Sequence, residues 1–144
     1  MEYEINKPPE TESSAETASA MIEHILVELA FEETPDLAES RQALLAALTQ
    51  ENIDVERRKQ VIVKHSMISE AIANSSTGSL GLENINRRAL IQIALTIYEA
   101  RIFLEANLIE KCAQKLELAY QYARQDGFDS LASGIDDILD KLAD

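Results

Sequence analysis

Three side chains carry most of the nucleophilic or metal-binding potential of this chain: His24, His65 and Cys112. Di-iron helical bundles bind metal through Glu-x-x-His, which places both ligands on one helix face. Met21 and Ile62 occupy the glutamate positions of that motif here, and His-Glu-x-x-His does not occur. We therefore expect no metal site, no cofactor and no catalytic residue.

His65 shares one helical face with Val61, Ile68 and Ile72. This spacing predicts an imidazole at the edge of the core that is hydrogen bonded to a neighbour, and a buried histidine that senses pH is the alternative. Cys112 also lies on an apolar helix line and has no base near it in sequence, which predicts a small buried side chain rather than a nucleophile.

The last predicted helix contains three closely spaced aspartates, Asp136, Asp137 and Asp140. The apolar residues around them recur at helical spacing. A calcium loop spaces its oxygen ligands along a glycine-containing loop, a pattern that this segment lacks. We therefore predict a solvated acidic helix face, which could also take part in an interaction.

Basic residues concentrate in the middle of the chain, with pairs at Arg57-Arg58 and Arg87-Arg88. Single-stranded nucleic-acid sites usually combine such clusters with aromatic side chains for stacking, but residues 32–97 contain no aromatic residue. We expect no nucleic-acid binding, and we interpret these arginines as solvated, salt-bridged or available to a protein partner.

Aromatic side chains cluster in the second half of the chain. Tyr120 and Tyr122 cannot both face the same side of a helix, so we expect one of them to be partly exposed. A place in the core is the first interpretation, and an anchor at an interface is the second.

Charge is sorted along the chain. Residues 1–40 contain eleven acidic side chains and one lysine, and residues 126–144 contain six aspartates and one lysine. Residues 41–125 contain nine acidic and eleven basic side chains, so the net charge of −13 comes from the two ends. This distribution opposes binding to nucleic acid or anionic membranes, favours a basic protein partner, and allows acidic ends to meet the basic centre within one chain or in a homodimer.

The composition predicts an all-α fold. Apolar residues make up 46% of the chain, which is enough for a core, and four glycines and three prolines leave few helix breakers. We predict a flexible acidic tail over 1–12 and a single helical domain over 13–144. The domain is a bundle of five to six helices, either continuous or in two halves joined near 74–82.

The helix boundaries follow from capping residues. We expect helices to begin at a capping box at Ser13, at Thr34-Pro35-Asp36, and after Asn52 or Asp54. Residues 84–125 form either one long helix or two with a bend near Ala106-Asn107. Gly127 marks a helix end, and a last helix spans about 129–142.

The segment Ser79-Leu80-Gly81-Leu82-Glu83-Asn84 resembles the Ser/Thr-x-x-x-Glu-Gly/Asn inhibitory motif of antitoxins that silence Fic-domain AMP-transferases. The resemblance covers six residues and implies that Glu83 would block productive ATP binding by pairing with an arginine of the enzyme. Ser79 and Asn84 fill the other defined positions. A helix start with Asn84 as its cap is the alternative interpretation.

No catalytic constellation stands out, so the leading hypothesis is a non-enzymatic protein-interaction module such as a regulator, adaptor or assembly factor. The alternative is an acidic inhibitor, such as an antitoxin, immunity protein or nucleic-acid mimic, that occupies a basic site. The third is a helical-bundle enzyme or small-molecule binder whose site is not visible in the sequence. We expect a soluble cytoplasmic protein, because the chain has no long apolar run and no secretory signal at Met1.

Overall fold

The computed structural model describes residues 14–31, 33–75 and 83–143, which form six α-helices and no strand. The prediction of an all-α bundle is therefore confirmed. The predicted tail over 1–12 and residues 76–82 of the predicted junction lie outside the described residues. The helices are α1 (Ser14–Glu28), α2 (Pro35–Thr49), α3 (Val55–Ser75), α4 (Glu83–Glu105), α5 (Ile109–Gln125) and α6 (Asp129–Ala143).

Side-chain caps begin α2 and α3 at predicted positions. The Thr34 hydroxyl accepts a hydrogen bond from the backbone N–H of Leu37 at 3.2 Å, and Pro35 occupies the first turn. The Asp54 carboxylate accepts from the backbone N–H of Arg57 at 2.7 Å, so Asp54 caps α3. Each cap pairs an N–H group that the helix itself leaves unbonded.

Three helices end with a residue in the left-handed region: Ala30 after α1, Asn107 after α4 and Gly127 after α5, with φ of 56°, 64° and 84°. In each case the next residue donates its N–H to a carbonyl five residues back, at 2.8 to 3.0 Å. This is the Schellman arrangement, which uses the last free carbonyls of a helix. It confirms the predicted end at Gly127 and shows that 84–125 is two helices separated at 106–108.

Helix α4 lies at the centre of the bundle and packs against α1, α2, α3 and α5, while α6 packs against α1 and α5. Contacts of α1 with α4 and α6 thus cross between the N-terminal and C-terminal helices. The buried apolar residues form one cluster, and most of them belong to α1, α4, α5 and α6. Fully buried members with large side chains are Tyr98, Ile22, Leu37, Ile93, Ile97, Ile102, Leu116, Ile135 and Ile138.

Candidate functional site

Helix α3 departs from the usual amphipathic arrangement, because it buries two polar side chains and exposes large apolar ones, although Val61 and Ile72 still pack against the core. Its buried positions follow one another at helical spacing and hold His65, Ser69 and Ala73. Large apolar side chains lie on its outer surface, where Val63 is 56% and Met67 is 64% exposed. Soluble helices normally turn their apolar stripe toward the core, so this face is unusual and marks α3 as a candidate interaction surface.

A groove of about 410 Å³ runs between this face of α3 and the neighbouring turns of α4. We call it the α3–α4 groove. Its walls combine apolar side chains with hydroxyl, amide and carboxylate groups. Its lining residues are Ile62, Val63, Ser66, Met67, Ser69 and Glu70 from α3, with Gln92, Leu95, Thr96 and Glu99 from α4.

A polar network under the groove connects four helices. The Ser40 hydroxyl of α2 lies 2.5 Å from Nδ1 of His65 on α3, and Nε2 of His65 lies 3.5 Å from Oε2 of Glu99 on α4. The Ser69 hydroxyl donates to Oε2 of Glu99 at 3.4 Å. Nζ of Lys115 on α5 donates to Oε1 of Glu99 at 3.0 Å. Two members of this network, Ser69 and Glu99, also line the groove.

Burial lowers the pKa of His65 below its ordinary value of 6.5. The nearby Glu99 carboxylate opposes this change, and the Lys115 ammonium adds to it. The imidazole is therefore favoured in its neutral form, with Nδ1 and the Ser40 hydroxyl sharing one hydrogen bond. This confirms the prediction of a hydrogen-bonded imidazole beside the core.

The order Ser40, His65, Glu99 contains the residue types of a hydrolytic triad, but its accessibility does not suit that chemistry. Ser40 is 8% exposed and His65 is 3% exposed, so a substrate in the groove would not reach the hydroxyl. A nucleophile must also contact the reacting atom within hydrogen-bond reach of its base. The arrangement instead links α2 to α3 through Ser40 and His65, and joins α3 and α5 to Glu99 of α4, while Nε2 of His65 has no hydrogen-bond partner among the described residues.

Cys112 is a free thiol with no exposed surface, and burial raises its pKa to about 12. The thiolate is the reactive form of cysteine, so this residue is chemically inert in the folded protein. The prediction of a small buried side chain is confirmed.

Among the residues predicted for interaction, the aspartates Asp136, Asp137 and Asp140 are exposed on α6. Arg57 is exposed on α3, while Arg58 is half-buried and directs its guanidinium toward the carbonyl of Gln50 at 3.5 Å. The α6 carboxylates and the α3 arginines lie on helices that do not pack closely on each other. They therefore do not form one site.

Partial exposure was predicted for one of the two tyrosines of α5, and the structure shows it for both. Tyr120 and Tyr122 are both half-buried and both pack against the edge of the core. The guanidinium of Arg124 lies 5.9 Å from the centre of the Tyr120 ring and donates to its hydroxyl at 3.1 Å. This favours a structural role for Tyr120.

Arg87 and Arg88 belong to α4, but the structure does not describe their side chains. Ser79 lies outside the described residues. Helix α4 begins at Glu83, one residue before the predicted cap position Asn84. The resemblance to the inhibitory motif of the Fic-associated antitoxins stays a prediction.

A second cluster of charged side chains forms ion pairs that join α1, α2 and α4. Nη2 of Arg41 lies 2.6 Å from Oε2 of Glu105, and Nη1 of Arg101 lies 2.6 Å from Oε2 of Glu23. Nε of Arg101 is 3.3 Å from the same Glu105 oxygen. Because Glu23 belongs to the acidic N-terminal region and Arg101 to the basic centre, this is one intramolecular pairing of the kind that the charge distribution predicted.

Within residues 14–31, 33–75 and 83–143, no set of three or more His, Cys, Asp or Glu side chains is grouped for metal binding. No helix in these ranges has the length and hydropathy needed to cross a bilayer. Comparison of the chain with family models, curated proteins and solved structures finds no match.

The sequence prediction missed the groove and the partners of His65. Ser40, Glu99 and Lys115 lie far from His65 along the chain, and no spacing rule connects them. The exposed face of α3 did leave a signal. The apolar residues of α3 fall around the whole helix rather than on one stripe, since they occupy Val61, Ile62, Val63, Met67, Ile68 and Ile72.

Proposed function

We propose that this protein is a non-enzymatic protein-interaction module and that the α3–α4 groove is its docking surface. The observation that carries the proposal is the exposure of Val63 and Met67 on the outer face of α3, while His65 is buried on its inner face. Covering apolar side chains with a partner removes them from water, at about 25 cal/mol per Å² of apolar area.

The chemistry of the groove favours a helical partner. Val63 and Met67 lie one turn apart, the spacing at which a second helix packs apolar side chains against them. Glu70, one turn further along and also in the groove lining, is exposed and places a carboxylate beside this apolar pair. The partner that fits is an amphipathic helix whose apolar stripe is followed by Lys or Arg.

Two neutral substitutions test the docking surface. Val63→Gln with Met67→Gln removes the apolar contacts without changing charge, and both side chains are exposed in the free protein, so the fold should survive. Val27→Gln on α1 is the matched control, because Val27 is 71% exposed. We expect the double variant to lose a stoichiometric partner in a quantitative pull-down, and the control to retain it.

The circular dichroism melting curves of the three proteins, recorded at a concentration at which all are monomeric, should coincide, which separates loss of binding from loss of structure. Equal capture of the partner by the double variant and by the Val27→Gln control would refute the proposed docking surface. A specific turnover of a small substrate, abolished by substitution in the groove, would refute the non-enzymatic assignment.

An acidic inhibitor is the second candidate, supported by the exposed carboxylates of Asp136, Asp137 and Asp140 on α6. Such an inhibitor meets Lys and Arg side chains of its target, so its binding weakens as salt is added. The triple substitution to Asn would abolish that binding while leaving an apolar interface at α3 intact. Partner binding that tolerates high salt and the triple substitution would exclude this candidate.

A further inference from the structure

The outer face of α3 has a directional pattern. Residues spaced by four, three and four positions form one stripe along the helix, and all of them are exposed: Lys59, Val63, Ser66 and Glu70. Met67 and Ile62 flank the middle of this stripe, where they are 64% and 37% exposed. The stripe is therefore positive at one end, apolar in the middle and negative at the other end.

We propose that the occupant of the α3–α4 groove is the α3 helix of a second copy of this chain, packed antiparallel. A two-fold axis that crosses the outer face of α3 at the level of residue 65 reverses the second helix. It places Val63 opposite Met67 of the partner subunit. The same operation places Lys59 beside Glu70 of the partner subunit, and symmetry repeats this pair at the other end. This inference rests on the proposed function, because it names the partner of the same docking surface.

Local charge supports a second copy over an unrelated basic helix. The whole chain has a net charge of −13, but α3 contains four basic residues and two acidic ones. A uniformly basic helix would pair with Glu70 and be repelled by the basic residues in the first half of α3. An antiparallel copy brings opposite charges together at both ends of the apolar stripe.

Apolar contacts supply most of the interaction in this arrangement, and the two charge pairs select its direction. Exposed ion pairs contribute about 0.2–1 kcal/mol each, so they change specificity more than affinity. The association should consequently weaken only modestly as salt is added, unlike that of an inhibitor that binds through carboxylates alone.

Sedimentation equilibrium of the full chain across a wide concentration range tests the proposal. The expected mass rises from 16.0 kDa to twice that value with concentration. Lys59→Glu and Glu70→Lys should each raise the dissociation constant about tenfold, since each replaces two attractions by two repulsions. The double charge reversal should restore association, because it recreates both pairs in the opposite sense.

The glutamine variants described above supply the apolar test: Val63→Gln with Met67→Gln should yield a monomer, while Val27→Gln should dimerise like the parent chain. A monomer at every concentration would overturn the proposal, as would a dimer that the double charge reversal fails to restore. The proposed docking surface would survive either result if the double glutamine variant still lost a different protein partner. If the double glutamine variant dimerised like the parent chain and also retained its protein partner, both proposals would fail.

Discussion

Helices α3 and α6 lie in the same bundle but differ in the side chains that they bury and expose. Helix α6 has the usual arrangement, with Ile135 and Ile138 fully buried and its aspartates in solvent. Helix α3 buries His65 and Ser69 and exposes Met67. The position of α6 in the bundle therefore depends on apolar burial, whereas α3 combines apolar packing of Val61, Ile72 and Ala73 with hydrogen bonds of His65 and Ser69 beneath the groove.

The comparison shows that the contacts that position a helix in the bundle can differ in kind from the side chains that it exposes to solvent. His65 and Ser69 on the inner face of α3 hydrogen bond to α2 and α4, and Val61 and Ile72 pack against the core, so Val63 and Met67 on the outer face are not used. Those side chains remain available for a contact that the single chain does not make. Exposed apolar surface beside a groove is typical of interaction sites, whereas the carboxylates of α6 favour water.

The largest effect should come from shortening an apolar side chain in α6. Ile138→Ala removes buried methyl groups and leaves a cavity, and we expect the free energy of unfolding to fall by about 2–5 kcal/mol. Met67→Ala on α3 should change it by less than about 0.5 kcal/mol in the monomer. Urea denaturation of both variants measures the two values, and equal losses would contradict the contrast between the helices.

The polar support of α3 can be removed at its α2 end. Ser40→Ala deletes the hydroxyl that lies 2.5 Å from Nδ1 of His65 and leaves a buried imidazole nitrogen without this partner. We expect a loss of about 1–3 kcal/mol in the free energy of unfolding. The additional loss caused by Ser40→Ala should nearly vanish in a His65→Phe background, and full additivity in a double-mutant cycle would show that the two groups are not coupled.

Acid should weaken the same network. The pKa of His65 in the folded protein is lowered by burial from 6.5, so the unfolded chain binds a proton first as the pH falls. Above about pH 6.5 the imidazole is neutral in both states and has no effect on the pH dependence of stability. Below that pH the unfolded chain takes up the proton more readily, so the free energy of unfolding decreases. We expect the decrease between about pH 7 and about pH 5 to be smaller in His65→Gln, as measured by urea denaturation.

The smallest effect should come from the ion pairs beside α1 and α2. Arg41→Met removes the contact of 2.6 Å with Glu105, but Glu105 keeps Arg101 at 3.3 Å. Because both partners are partly in water, we expect a loss of about 0.5–1 kcal/mol, reduced by added salt. If the free energy of unfolding fell as much as in Ser40→Ala, this exposed cluster would stabilise the fold as strongly as the buried network, contrary to our expectation.

Local sequence signals predicted the element boundaries well. Thr34, Pro35 and Asp54 cap or begin helices because their chemistry acts within a few residues. Gly127 ends α5 for the same reason. The sequence left the division of 84–125 open, because Asn107 tolerates the left-handed conformation without requiring it and the tertiary packing of α5 on α4 selects the turn.

The site was less predictable than the fold. The interior position of His65 followed from its apolar neighbours, but Ser40 and Glu99 reach it from other helices. The spacing of Val61, His65 and Ile72 correctly predicted the face of α3 that packs on the core. It did not predict the exposed apolar pair Val63 and Met67, because the groove beside them is formed with α4, which lies far away in sequence.

The position of Cys112 has a practical consequence. This one thiol lies without exposed surface on α5, the helix between α4 and α6. A disulfide reagent can modify it only when the surrounding helices separate, so the labelling rate in native buffer reports how often this part of the bundle opens. The chain therefore contains its own kinetic probe of opening, with no engineered label.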